Sequence, residues 1–250
     1  MAVLWQKRID GVRYDVRSAG NTVRLYTNGV LHTQYNPQRL ATGSVWDLLT
    51  IGALLLPPAS VRRVLVLGVG GGTAIRQLLE FFPQARVTGI ELNPVHLQLA
   101  KRFFALDDPR VELVCADAIA WLAMHDGEPF DLIIDDLFGE RDGVPCRAVR
   151  ADADWLDLLV SQLEPCGMLT MNFPDRREAT RAPWREVFVG RRGRPRFPLV
   201  LSLATPTCEN RVLSFVPRAG SVAGLRRAVV ARDFAARYSA RALAPGKDAG

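Results

Sequence analysis

Four places in this 250-residue chain put chemically capable residues directly after a short apolar run. They are Gly68-Val69-Gly70-Gly71-Gly72 after VLVL, Glu91 closing VTGIE, Asp117 after RVELVC, and Asp135-Asp136 after FDLII. Glycines in such a turn let the backbone approach a ligand, because no Cβ stands in the way. Taken alone, the turn suits a nucleotide phosphate, a phosphate-free nucleoside, or a tight connection holding nothing. The dinucleotide pattern GxGxxG fails at Thr73, and no Gly-Lys-Ser/Thr follows for a Walker loop. Glu91 comes about 20 residues later, where an acid accepts hydrogen bonds from ribose hydroxyls. It could also cap the helix that opens at Pro94, although Asn93 is better placed for that. Asp117 can accept from an adenine amino group while the next N–H, that of Ala118, meets a ring nitrogen. Asp is equally favoured as a helix N-cap. The three places together describe a nucleoside pocket with no basic residue aimed at a phosphate, which selects adenosine attached to a cationic or neutral group.

Asp135 and Asp136 are adjacent carboxylates that repel one another, so one is expected to point away. The other can orient or deprotonate an amine attacking a sulfonium centre. The plain alternative is a pair of solvated loop acids.

Residues in these places act together only if strands deliver them to one edge. From Arg62 onward short apolar runs alternate with helical stretches: strands at 63–67, 86–90, 110–115, 130–134, 167–173, 198–204 and 211–216, and helices near 73–82, 94–105, 118–125, 152–164 and 176–189. Near-continuous apolar strands spaced by helices imply a parallel sheet covered on both faces. The last two strands leave no room for a helix and are expected to be antiparallel. Ligands then bind beyond the carboxyl ends of the strands, which is where the four places fall. Before this region, residues up to 35 alternate apolar and polar around an Asn28-Gly29 turn, the signature of antiparallel strands. An apolar helix over 44–56 ends at Pro57-Pro58. A last amphipathic helix through Leu225, Val229, Val230, Phe234 and Tyr238 precedes a small-residue tail expected to be disordered. The division expected is residues 1–43 as a β-hairpin element and 44–250 as the nucleoside-binding catalytic domain.

Composition excludes several classes. The chain is 48% hydrophobic, ample for a core. Its longest uncharged apolar run, Leu48 to Leu56, is far short of the roughly 20 residues that cross a bilayer. The charged N-terminus lacks a signal peptide's apolar segment, so a cytoplasmic location is expected. Cys115, Cys146, Cys166 and Cys208 have no metal-ligand spacing, and neither zinc nor another metal is expected. The net charge of +6 raises the possibility of an acidic partner. Arginine, however, serves almost everywhere a cation is used, the lysines being only Lys7, Lys101 and Lys247. The dense cluster RRGRPR at 191–196 lacks interleaved aromatics and reads as a solvated loop, with anion binding as the alternative. Nucleic acid and membrane are not expected partners.

From Val23 to Val216 the order of motifs resembles the spermidine synthase family, the polyamine aminopropyltransferases. LYTNGV, VLVLGVGGGTAIRQLLE, VTGIELNP, DDPRVELVCADAIAWL, FDLIIDDLFG and EPCGMLTMNF carry the likeness. The resemblance implies an N-terminal β element and a Rossmann-like class I methyltransferase fold, an α/β domain with a seven-stranded mostly parallel sheet. It implies decarboxylated S-adenosylmethionine as donor substrate, a small-molecule amine as acceptor, and a homodimer. Gly68 and Gly70 fall on the family's glycine loop, Glu91 on its ribose-binding acid, Asp117 and Ala118 on its adenine pair, and Asp136 on the catalytic aspartate.

The departures bear on the substrate. Where the family's loop has an Asp that holds the aminopropyl ammonium, this chain has Gly71. The second Asp of the catalytic motif becomes Gly139. Trp46-Asp47-Leu48 stands where the polyamine channel has a tyrosine and a glutamate, and His32 where a glutamine faces the cofactor. Desolvating an ammonium without a carboxylate costs several kcal/mol. Losing the acid at 71 relaxes selection against the carboxylate of S-adenosylmethionine itself. The sequence reading therefore narrowly favours methyl transfer from S-adenosylmethionine to a small nucleophile, with aminopropyl transfer as the alternative. A non-catalytic nucleoside-binding relative and a nicotinamide oxidoreductase are the remaining readings.

Overall fold

The computed structural model describes residues 1–141, 144–188 and 195–244. The chain opens with a four-stranded antiparallel sheet, β1 (Ala2–Ile9), β2 (Val12–Ala19), β3 (Thr22–Thr27) and β4 (Val30–Tyr35), joined in sequence order. Asn28 and Gly29 both take positive φ between β3 and β4, as a two-residue hairpin of right-handed twist requires. The element is thus a full meander rather than a single hairpin.

Next come α1 (Val45–Ile51) and a tighter turn of helix over Gly52–Leu55, stopped by the prolines at 57 and 58. The large domain then runs β5 (Arg63–Leu67), α2 (Thr73–Phe81), β6 (Arg86–Glu91), α3 (Pro94–Phe103), β7 (Val111–Cys115), α4 (Ala118–Met124) and β8 (Phe130–Asp135). A hairpin follows, β9 (Phe138–Arg141) and β10 (Val144–Arg147), in the stretch read from sequence as an undivided loop. The chain continues with α5 (Ala153–Ser161), β11 (Leu163–Phe173), α6 (Arg176–Arg181) and α7 (Trp184–Val187). It closes with β12 (Leu199–Ala204), β13 (Arg211–Val216), α8 (Val222–Ala231) and β14 (Ser239–Leu243).

The main sheet has eight strands in the order β14-β12-β13-β11-β8-β5-β6-β7. The five from β11 to β7 are parallel, and β13, β12 and β14 are antiparallel to their neighbours. The expected count of seven is corrected by β14. It lies in the stretch read as helix end and tail, because α8 stops at Ala231 and residues 239–243 pair with β12. The helix expected over 176–189 is broken where Ala182 leaves helical geometry before Pro183. Of the 191–196 cluster, residues 191–194 lie outside the described residues. Arg196 donates from Nη2 to the carbonyls of Leu163 and Glu164.

Two cores sandwich the sheet. On one face α1, α2, α3 and α8 cover Val64, Val66, Leu132 and Ile134. On the other α4, α5 and α7 cover Leu65, Leu67, Ile133 and Leu169. A third cluster joins Tyr14, Val16 and Leu25 of the N-terminal sheet to Val95, Leu99 and Phe104 at α3. This last cluster seats the small sheet beside the tips of β5 and β6.

Candidate functional site

Strand register brings the four sequence-read places to one edge. Leu67 pairs with Ile90 on one side and Asp135 on the other, so Gly68, Glu91 and Asp136 leave the sheet on neighbouring strands about 4.8 Å apart. Met171 pairs with Asp135, which puts Asn172 of β11 beside Asp136. Glu91 pairs with Cys115, which sets Asp117 one strand further along.

The glycine loop is shaped by what surrounds it. Gly68 has φ of +85°, and a Cβ there would collide with the Asp136 carbonyl. Gly71 faces Thr33 of β4, whose Cγ2 occupies the space of any side chain at 71. Thr33 is buried, and its Oγ1 lies 2.6 Å from Oγ1 of Thr73, which in turn donates to the Gln34 carbonyl at 2.7 Å. An acid at 71 is therefore excluded by the N-terminal sheet, as well as absent from the sequence. Gly139 is exposed on β9, where a Cβ would make ordinary contact with Ala148 Cβ at 3.8 Å.

Glu91 closes the loop from β6. Its Oε2 accepts from the N–H groups of Val69 and Gly70 at 3.1 and 2.8 Å, and its Oε1 from that of Asn93 at 2.9 Å. Burial pushes its pKa up, but the His96 ring 3.8 Å away and these N–H donors outweigh it, leaving the carboxyl below its ordinary range. Helix capping falls to Asn93, whose Oδ1 takes Val95 and His96 N–H. Three donors leave a carboxylate about one free lone-pair site.

Asp117 is the N-cap of α4, accepting from Ala120 N–H at 2.9 Å through Oδ1. The Ala118 N–H belongs to the first turn, which the helix itself cannot satisfy. Leu92 and Ile119 are 69% and 45% exposed beside Glu91 and Ala118. Their chemistry suits the faces of a purine. Sequence reading missed them, since an apolar residue after a strand does not disclose its exposure.

The acidic pair splits as expected. Asp135 is fully buried, and its Oδ2 accepts from Arg147 Nη2 at 2.6 Å and Trp155 Nε1 at 2.9 Å. Arg147 also donates to the Asn172 carbonyl at 2.6 Å, so it pins the β9-β10 hairpin across β8 and β11. Asp136 faces the other way. Its Oδ1 accepts from Asn172 Nδ2 at 2.7 Å, and Asn172 Oδ1 accepts from Asn210 at 3.1 Å. Burial pushes the Asp136 carboxyl up to about 7, with the charges of Asp135 and Glu91 acting in the same direction against Asn172 and Arg147. Arg147, Trp155 and Asn172 come from three elements and Asn210 from the loop before β13, and no local spacing announces them.

On the far side of Glu91, the His96 Nε2 lies 2.8 Å from Thr27 Oγ1, and its ring is 4.7 Å from that of His32. Burial, then the neighbouring His96, lowers His32 to about 4, so it stands neutral there. Trp46, Asp47 and Leu48 are all buried. The Asp47 carboxylate is consumed by Thr42 and Gly43 N–H and by Gln77, which removes it from any channel.

Comparison with known proteins places this arrangement. Residues 64–158 match the model of a methyltransferase domain. Polyamine aminopropyltransferase 2 of Caldanaerobacter subterraneus subsp. tengcongensis is 34% identical over 107 residues, covering 42% of this chain and 35% of that protein. Polyamine aminopropyltransferase of Mycobacterium tuberculosis is 30% identical over 180 residues, 68% of this chain and 32% of that one. The matches thus span about a third of the length of these relatives. A probable spermidine synthase from Corynebacterium glutamicum superimposes with a TM-score of 0.74 at 18% identity, covering 97% of this chain and 91% of that one. The fold is that of the spermidine synthases and class I methyltransferases, and the resemblance read from the motifs holds in sequence and in architecture. The narrow preference for methyl transfer is not supported: the named relatives favour its aminopropyl alternative. Among the described residues no helix is long and apolar enough to cross a membrane.

Proposed function

We propose that the protein transfers an aminopropyl group from decarboxylated S-adenosylmethionine to a small amine. The observation that carries this reading is Asp136, a carboxyl at the β8 tip that exchanges its proton near pH 7 and is aimed by Asn172. The amine lone pair attacks the propyl carbon bonded to sulfur, that C–S bond breaks, and its electrons return to sulfur as a neutral thioether. The proton lost by the amine goes to Asp136, whose pKa suits a base at neutral pH. Because the sulfonium is already a good leaving group, holding donor and acceptor in line supplies much of the remaining rate.

The residues fit such a donor. The free lone-pair site of Glu91 takes a ribose hydroxyl, the outer oxygen of Asp117 and the Ala118 N–H take the adenine edge, and the turn at Gly68 and Gly70 lets the sulfur approach. Asp136 feels the charge of Glu91, and Asp135 is paired with Arg147. That leaves a negative end of the site suited to the sulfonium and to an ammonium, in place of the acid that Thr33 excludes at 71. The relatives' names support the same chemistry.

The test is to incubate the protein with decarboxylated S-adenosylmethionine and a diamine, and in parallel with S-adenosylmethionine and the same amine. Formation of 5′-methylthioadenosine with an aminopropylated amine supports the proposal. S-adenosylhomocysteine as the only thioether formed would overturn it in favour of methyl transfer. Absence of either thioether would remove the enzyme reading.

A further inference from the structure

A second concave site lies beside the acidic end, along β13, β12 and β14. It is a cavity of about 340 Å³ between α6, α7 and the strands β12, β13 and β14. From β8 to β13, which carries Arg211, is two strands, roughly 10 Å. Arg176, Arg185, Arg211 and Arg241 reach it from four different elements, with Trp184 and Ser202 completing the wall, and none of its lining residues is an Asp or Glu. Among the described residues no carboxylate lies within ion-pair distance of Arg176, Arg211 or Arg241.

The arginines sit in a strained electrostatic setting. Arg211 Nε is buried and has no hydrogen-bond acceptor among the described residues. Burial, and then the charge of Arg176, lowers the Arg211 pKa from its ordinary value. Arg185 lies over the Trp184 ring, its Cζ 4.0 Å from the ring centroid. Guanidinium forks match the paired oxygens of phosphate and carboxylate groups, and charge-assisted bonds of this kind are about twice as strong as neutral ones. Arg176 and Arg241 are exposed, and Arg211 is the half-buried member of the three.

We propose that this cavity binds a small multivalent oxyanion, phosphate- or carboxylate-bearing, between Arg176, Arg211 and Arg241. Its ligand is opposite in charge to the cations proposed for the β8 tip, so the two sites select different molecules.

Calorimetric titration at about 150 mM NaCl, with sodium pyrophosphate and sodium citrate as separate probes, tests it. Saturable one-to-one binding of at least one probe below about 1 mM is expected, and the tighter probe identifies the phosphate or the carboxylate class. Arg176→Gln with Arg211→Gln should weaken that binding at least about tenfold while leaving affinity for 5′-methylthioadenosine unchanged. Arg241→Gln, on an exposed edge strand, should weaken it about threefold by itself and serves if the double variant does not fold. No saturation by about 10 mM of either probe, or binding unchanged in these variants, would overturn the proposal.

Discussion

The tips of β6 and β8 each present a largely enclosed carboxyl, and the two shift in opposite directions. Glu91 receives three backbone N–H groups and the neighbourhood of His96, and its proton is held more weakly than usual. Asp136 receives one amide N–H from Asn172, faces two like charges, and holds its proton to about 7. Burial acts the same way on both. The groups facing each carboxylate decide the outcome, His96 and then backbone N–H groups at Glu91 against one amide and two like charges at Asp136, which separates a group suited to holding a sugar from one suited to moving a proton.

Removing the proton-moving group breaks the comparison most severely. Asp136→Asn should lower kcat by about 10²–10⁴-fold, with affinity for 5′-methylthioadenosine retained, as steady-state rates and calorimetry would show. Next in size is Arg147→Met, which leaves Asp135 buried without its cation. It should cost about 3–5 kcal/mol of stability, read as a drop in denaturant midpoint. A third change sharpens the contrast rather than breaking it. Asn172→Ala removes the one donor to Asp136, so the rise of activity with pH should move from an inflection near 7 to higher pH, while donor affinity changes little.

Stability should show the same opposition. Asp136 has a raised pKa, so its contribution is fully present below its ordinary 3.8 and is lost as pH rises through about 7. Glu91 has a depressed pKa, so its contribution is present above its ordinary 4.5 and is lost as pH falls through its folded-state value. Relative to Asp136→Asn, the unsubstituted protein should lose stability between about pH 4 and 7 in thermal melts. A flat difference across that range would mean that Asp136 is not proton-rich in the folded state. The smallest effect is expected from Asp117→Ala, about 1 kcal/mol for the lost cap together with weaker nucleoside binding.

The parallel strands were legible because residues buried on both faces read as nearly unbroken apolar runs. β14 was not, since SARAL is neither apolar nor rich in β-branched residues and is held by pairing with β12. At the site, glycines and acids directly after strands announced themselves by position. The partners that set their proton affinities did not. Asn172 and Asn210 lie on different segments, Arg147 arrives on a hairpin, and His96 of α3 meets Thr27 of β3. Nor does sequence show Thr33 filling the space beside Gly71, which depends on how β4 docks against the loop.

The contacts of Arg147 make hairpin placement and acid chemistry a single event. Lifting β10 would strip Asp135 of its countercharge and take away the Arg147 charge that lowers the Asp136 pKa. One guanidinium thus both seats the hairpin and helps set the proton affinity at the β8 tip.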